Sequence, residues 1–250
     1  MAIEPSKVYA VWLREVKRFT NSKSRIIGSL GMPLLFLIAL GGGLSAMVPG
    51  FNYQAFILPG ILAMTLLFTS VFSGVSIIWD REFGFLKEML AAPASRETIV
   101  IGRTLGGATT AILQGSIIMV LGIFITGIPI PAIANLIGIF ALMVIFSCFL
   151  VAVGIAFASV VQEVETFQLI MNLLVMPLFF LSNALFPIDK MPEWLRVVSM
   201  FNPISYAVDG LRGLLINTSQ FSIMLDFGVS AAALVISITV ASYLFSKTSI

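Results

Sequence analysis

The residues able to do chemistry are few, and they fall in three short stretches. Asp80-Arg81-Glu82 is followed by Gly84, Leu86, Met89 and Leu90; Asp209 and Arg212 stand three apart; and Glu15 falls beside Trp12, Val16 and Phe19 on a helical wheel whose other side is basic. Such spacings make ion pairs and contact surfaces. They do not make a catalytic centre. The chain has no His and a single Cys, Cys148, so there is no stock of ligands for a zinc or iron site and no intramolecular disulfide. None of its lysines stands in G-x-x-x-x-G-K-[ST], so the chain binds no ATP through that loop. G-x-S-x-G, H-E-x-x-H and a dinucleotide G-x-G-x-x-G after a strand are absent as well. Gly41-Gly42-Gly43 lies in an apolar run, where it reads as a helix-end or close-packing device, not a phosphate cradle.

The elements that position these residues are read from where charge is missing. Of 250 residues, 59% are hydrophobic and 10% charged, with a net charge of +2, against about 25% charged in a soluble domain. That excludes an ordinary soluble globule and a disordered chain, and leaves a polytopic membrane protein. Residues 26 to 79 and 104 to 162 carry no Lys, Arg, Asp or Glu. A hydrocarbon core of ~30 Å takes roughly 20 helical residues, so each run is two crossings joined by a turn. The turns are Met47-Val48-Pro49-Gly50-Phe51-Asn52 and Gly127-Ile128-Pro129-Ile130-Pro131. Spans are expected at 27–47, 54–78, 104–126, 134–160, 166–186 (closed by Pro187) and 223–246. The stretch 197–217 is apolar enough to be a seventh, but crossing would place Asp209 and Arg212 near the bilayer centre at ~2.5–3.5 kcal/mol each. Asn202-Pro203 would also break the helix. A hairpin dipping in from one face avoids most of that cost, and Asp209 and Arg212 can pair within it.

Eleven of the Lys and Arg residues fall on one side of this topology and three (Lys190, Arg196, Arg212) on the other, which puts both termini in the cytoplasm. No cleavable signal peptide is expected, because the first 25 residues are charged and lack an apolar core. Residues 1–25 read as an interfacial amphipathic helix on the inner leaflet, with Val8, Trp12, Val16 and Phe19 opposite Lys7, Arg14, Lys17 and Arg18. Glu15 among the apolar residues is either a charge offered to a protein partner or a carboxylate that snorkels or pairs with a nearby Arg. In the 80–103 loop, Gly84 and Pro93 bracket a two-turn helix too short to stand alone. Its ridge of Leu86, Met89 and Leu90 either lies on the membrane or enters a groove of a cytoplasmic protein. Ser95 is the expected N-cap of span 3, with Glu97 in its first turn. The outer region 187–221, with Trp194 at headgroup depth, reads as two short helices capping the external end of a path.

Neither long uncharged run holds a carboxylate for a proton relay or cation site, which argues against a proton-driven carrier. An amphipathic or lipid-like substrate needs mainly an adaptable apolar wall, which Phe and Met supply. Most of the Phe and Met residues are expected simply to pack or to face lipid. Small-xxx-small pairs (Gly102 and Gly106, Gly107 and Ala111, Ala152 and Ala156, Gly154 and Ala158) permit close helix contact within one chain or between two.

Taken together, Asp80-Arg81-Glu82-x-Gly84-x-Leu86 with Leu90 and Pro93 after span 2, Phe186-Pro187-Ile188 with Pro192-x-Trp194-Leu195 after span 5, and Asn202-Pro203-x-x-Tyr206-Ala207-x-Asp209-x-x-Arg212 resemble the transmembrane subunit of an ABC-2 type exporter. That family includes drug-resistance, nodulation-factor and polysaccharide permeases. Phe85 and Lys87 depart from its usual Thr and acidic residue. The resemblance implies an all-α membrane protein of six transmembrane helices with an N-terminal interfacial helix, a short cytoplasmic coupling helix and an outer re-entrant hairpin. It also implies a non-enzymatic transport subunit in the plasma membrane. This subunit would dimerise with itself or a related permease and dock two copies of a separate ATPase subunit, which would bind ATP and Mg. No cofactor is expected on this chain, and no nucleic acid. By the same resemblance, Arg81, Glu82, Gly84, Leu86 and Met89 contact the ATPase, with Glu15 and Arg18 as a second contact. Pro187, Trp194, Asn202, Pro203, Tyr206, Asp209 and Arg212 form the outer gate. The competing readings are an ATP-independent secondary carrier or channel and an intramembrane enzyme. The cargo, lipid-like, drug-like or glycan, is not legible in these residues.

Overall fold

The computed structural model of the chain describes residues 4–47, 52–85 and 95–247, and the described residues fold as helices without a strand. In chain order these are α1 (Pro5–Thr20), α2 (Lys23–Leu35), a π-helical stretch (Phe36–Gly41), α3 (Gly42–Met47), α4 (Tyr53–Ser73), α5 (Val75–Glu82), α6 (Arg96–Thr126), α7 (Ile133–Val160), α8 (Val164–Phe180), a 3-10 turn (Ile188–Lys190), α9 (Glu193–Phe201), α10 (Pro203–Ile216) and α11 (Ile223–Ser246). Among the described residues, five segments are long and apolar enough to cross a membrane: Ile26–Met47, Tyr53–Glu82, Arg96–Thr126, Ile133–Val160 and Ile223–Ser246. The chain is therefore a multi-pass membrane protein. The sixth apolar helix, α8, has 17 residues, about 25 Å at 1.5 Å per residue.

Local chemistry sets the helix ends. Asn52, Ser95 and Ser222 cap α4, α6 and α11 by accepting a hydrogen bond from the backbone N–H three residues on. Gly127, at φ 68°, ends α6 in the left-handed region. Two expected boundaries shift. Helix continues from α5 to Glu82 and restarts at Arg96, so the 80–103 loop is narrower than its charges indicated. The reason is that Asp80 and Arg103, the outermost charges of the segment, pair with each other and are buried inside helix ends. At the other end of the bundle α8 stops at Phe180, short of Pro187. Its last carbonyls are taken by side chains: Ser182 Oγ donates to Phe179 O at 2.6 Å and Asn202 Nδ2 to Leu178 O at 2.6 Å. No further turn is needed to satisfy them.

Helix α4 is the axis of the bundle, buried without interruption from Ile57 to Leu67 and packed on α6, α7 and α10. The approach is close because glycine stands at the crossings. A Cβ on Gly154 of α7 would collide with the backbone of Val71, and one on Gly60 with the backbone of Ala184. Gly107 faces Ser73 and Val151. The small residues are thus used within one chain. Replacing Gly154 with Leu should cost about 1–3 kcal/mol of packing strain or more, read as a lower melting temperature and a smaller monodisperse yield in detergent. Gly43→Ala, where a Cβ meets nothing within 4 Å, should leave both unchanged.

Candidate functional site

The α1 end of the bundle is built on one carboxylate. The spacing of Gly102 and Gly106 on α6 matches that of Val11 and Glu15 on α1, whose side chains rest where a Cβ would otherwise stand. Trp12 Nε1 donates to Thr109 Oγ1 at 3.0 Å one turn further on. So seated, α1 carries Arg14 to the end of α5, where its guanidinium forks onto Asp80, Nη2 to Oδ1 at 2.7 Å and Nη1 to Oδ2 at 3.0 Å. Those bonds hold the Arg14 pKa above its ordinary value. Arg103 of α6 pairs with the same Asp80 and donates to Ser76 Oγ at 3.0 Å. Glu15 Oε1 stands 3.8 Å from Arg103 Nη1. Side chains of Asp80 and Arg103 are only 4% and 3% exposed. Asp80 and Arg103 therefore balance in a nearly dry site, with Glu15 beside Arg103 and Arg14 reaching in from the rim, and loss of Asp80 or Arg103 leaves a buried charge uncompensated.

The next residue extends the joint to a fourth helix. Arg81 donates to Val161 O at 3.1 Å and Ala158 O at 3.3 Å, capping the C-terminus of α7 with positive charge. Glu82 and Phe83 are exposed, and Gly84, at φ +80°, turns the chain away as a residue with a Cβ rarely does. Leu86 and Met89 lie outside the described residues. Arg14 also stands over the Phe85 ring at 5.9 Å, and Arg18 over that of Trp79 at 5.1 Å. Glu15 points into the bundle, its side chain 12% exposed. Its carboxylate stands beside Arg103.

Opposite this joint, the far end closes on Asp209 and Arg212, both buried. Asn202 caps α10, accepting from Ile204 N at 3.0 Å, and Pro203 is the first helical residue. Tyr206 donates to Met200 O at 2.8 Å and stacks on Phe221. Asp209 and Arg212 approach at 4.0 Å, yet each spends its hydrogen bonds elsewhere. Asp209 accepts from the backbone N–H of Gln220 and Phe221 at 2.8 Å each and from Asn183 Nδ2 at 3.2 Å. Arg212 donates to Asn183 O at 2.7 Å and lies over the Phe56 ring at 4.1 Å. Tyr53 adds a bond to Leu185 O at 2.6 Å. Pro187 leads into the 3-10 turn, whereas Trp194 is 66% exposed.

Between the two ends, a cavity of about 510 Å³ opens among α1, α2, α4, α6 and α8. Met64, Phe68 and Met176 form its apolar wall. A polar ledge crosses it, in which Gln114 donates to Ser29 Oγ at 2.6 Å and accepts from Thr69. Among the described residues no cluster of His, Cys, Asp and Glu could hold a metal. Such an arrangement braces helices and encloses an amphipathic space.

Sequence reasoning singled out Arg81, Glu82 and Gly84, and the structure places them in one short run at the joint. It missed Asp80, Arg14 and Arg103 as a unit, although Asp80 and Arg103 are the charges that bracket the 80–103 segment between two uncharged runs. Asn183 and Phe56, which hold Arg212, gave no signal: one sits in an apolar stretch and the other near a span's start.

Residues 6–216 match the model of the ABC-2 type transporter family. The chain is 34% identical to a putative transport permease, ycf38, of Cyanophora paradoxa, over 93% of this chain and 86% of the relative. It is 28% identical to nodulation protein J of Rhizobium leguminosarum bv. viciae, over 95% of this chain and 93% of the relative. A probable multidrug ABC transporter permease, YbhR, of Escherichia coli K12 shares 26% identity over 70% of this chain and 48% of its own length. An all-helical bundle with five long apolar segments, a match over most of the chain and permeases among its relatives together make this protein a member of the ABC-2 type transporter family, a membrane permease.

Proposed function

We propose that the chain is the membrane-spanning half of an ATP-driven exporter. It crosses the plasma membrane six times with α8 as the fifth crossing, has both termini in the cytoplasm, and pairs with a second permease and two separate ATPase subunits that bind ATP and Mg. The observation that carries this reading is the shared carboxylate at Asp80. It ties α1, α5 and α6 together immediately before Gly84 turns the chain into the 85–94 segment. An ATPase that grips that segment through Leu86 and Met89, and the end of α5 through Glu82, pulls on α5. Through Asp80 the pull reaches α1 and α6, and through Arg81 it reaches α7. Nucleotide drives the change only by binding one arrangement of the permease more tightly than the other. Glu15 acts in this linkage through Arg103, and Arg18 through the Trp79 ring at the end of α5. At the outer end, Asp209 and Arg212 hold α10 against the turns at 181–186 and 217–222 and close the path between cycles.

Three outcomes test the scheme. Leu86→Asp and Glu82→Ala should abolish transport and weaken co-purification of the ATPase while membrane insertion stays normal; if both variants transport and co-purify as usual, the handle lies elsewhere. Asp80→Asn strands Arg103 and should cost about 3–5 kcal/mol of stability. Arg14→Gln, whose partner keeps Arg103 and whose own side chain is 38% exposed, should stay folded but slow ATP-driven transport in proteoliposomes. At the gate both residues bond Asn183, but Asp209 alone also holds Gln220 and Phe221, so transport losses in Asp209→Ala and Arg212→Ala should accumulate in the double variant. A double variant no worse than either single one would mean that the two act only as a pair.

A further inference from the structure

The cytoplasmic mouth of the 510 Å³ cavity carries two charged side chains that the joint leaves underused. Glu15 and Arg18 both line it, three residues apart and so on one side of α1. Glu15 lines the cavity and stands 3.8 Å from Arg103 through Oε1, which accepts no hydrogen bond. Arg18 is partly buried over the face of Trp79 and has no carboxylate partner among the described residues. The two do not pair with each other, because one is turned toward α6 and the other toward α5. Deeper in, the ledge of Gln114, Ser29 and Thr69 satisfies its own bonds, and beyond the mouth the wall is Phe19, Met32, Met64, Phe68 and Met176. The cavity therefore presents one anion-binding group, one acceptor in want of a donor, and an apolar trough beside them.

We infer that this cavity binds an amphiphile with a phosphoethanolamine-type head, its phosphate at Arg18, its ammonium donating to Glu15 and its hydrocarbon tail along Phe68 and Met64. A phosphate anion suits a guanidinium fork, and a primary ammonium supplies the N–H that Glu15 lacks. Phosphocholine has the same charges but no N–H to give. That difference makes the head group itself the test. The site stands whether the lipid is a resident of the permease or its cargo.

The full chain in detergent, given equimolar dioleoyl phosphatidylethanolamine and dioleoyl phosphatidylcholine, should retain the first about tenfold better by native mass spectrometry, the weight of one charge-assisted hydrogen bond. Arg18→Gln should weaken retention of both lipids, and Glu15→Ala should erase the preference while phosphatidylcholine still binds. Gly28 lines the cavity and a Cβ there meets nothing within 4 Å, so Gly28→Trp should fill the space and displace both lipids with the melting temperature unchanged. Equal retention of the two lipids by the unaltered chain, a preference that survives Glu15→Ala in a folded protein, or binding untouched by Gly28→Trp each overturns the site. Binding is read without an ATPase, so its failure leaves the transport reading standing. With the ATPase in proteoliposomes, ATP-driven movement of tail-labelled phosphatidylethanolamine identifies cargo, and retention without movement identifies a resident lipid; both support the site.

Discussion

Asp80 accepts from two arginines that come from opposite directions along the chain, Arg14 before the first long apolar run and Arg103 after the loop. In water this would be a modest contact. Here the carboxylate and Arg103 are almost wholly removed from solvent, and neither can be neutralised cheaply except by the other. The placement of α1 follows, since its helix is held by that fork on one side and by the glycine notch of α6 on the other. So does the start of α6: Arg103 can reach Asp80 only if α6 has already run two turns inward from Ser95.

How far the fold was legible depended on which force set each feature. The crossings were readable because hydrocarbon thickness fixes length, and the cap at Ser95 and the turns containing Asn52 and Gly127 because they follow from local chemistry. The ends of α5 and α8 were not, because tertiary partners set them: Asp80 with Arg103 at one end, Ser182 and Asn202 on the carbonyls of α8 at the other. The charges at 80–82 and 209–212 were visible as a site. What they touch was not, since Asn183, Phe56 and Ser76 have no spacing that marks them. Asp209 and Arg212 read as a pair by their separation of three, whereas their hydrogen bonds go to segments 11 and 29 residues away.

The small residues illustrate the same point from packing. Gly102, Gly106, Gly107 and Gly154 were equally compatible with contacts inside one chain and between two. In the fold each is occupied from within: α1 fills the first two, α4 and α7 the third, and the α4 backbone the last. Close approach of helices here serves to seat the amphipathic helix and to cross α4 over α7, where dispersion contacts and not hydrophobic burial hold helices in lipid.

Helix α4 has no side turned toward lipid over its middle three turns. A segment of that kind is at home in hydrocarbon as a lone helix during synthesis, yet its final surroundings include α6, α7 and α10, which follow it in the chain. Its neighbours must then gather around it after it has already been threaded into the bilayer. The core of this permease is thus consolidated late, by later-made helices closing over an earlier one.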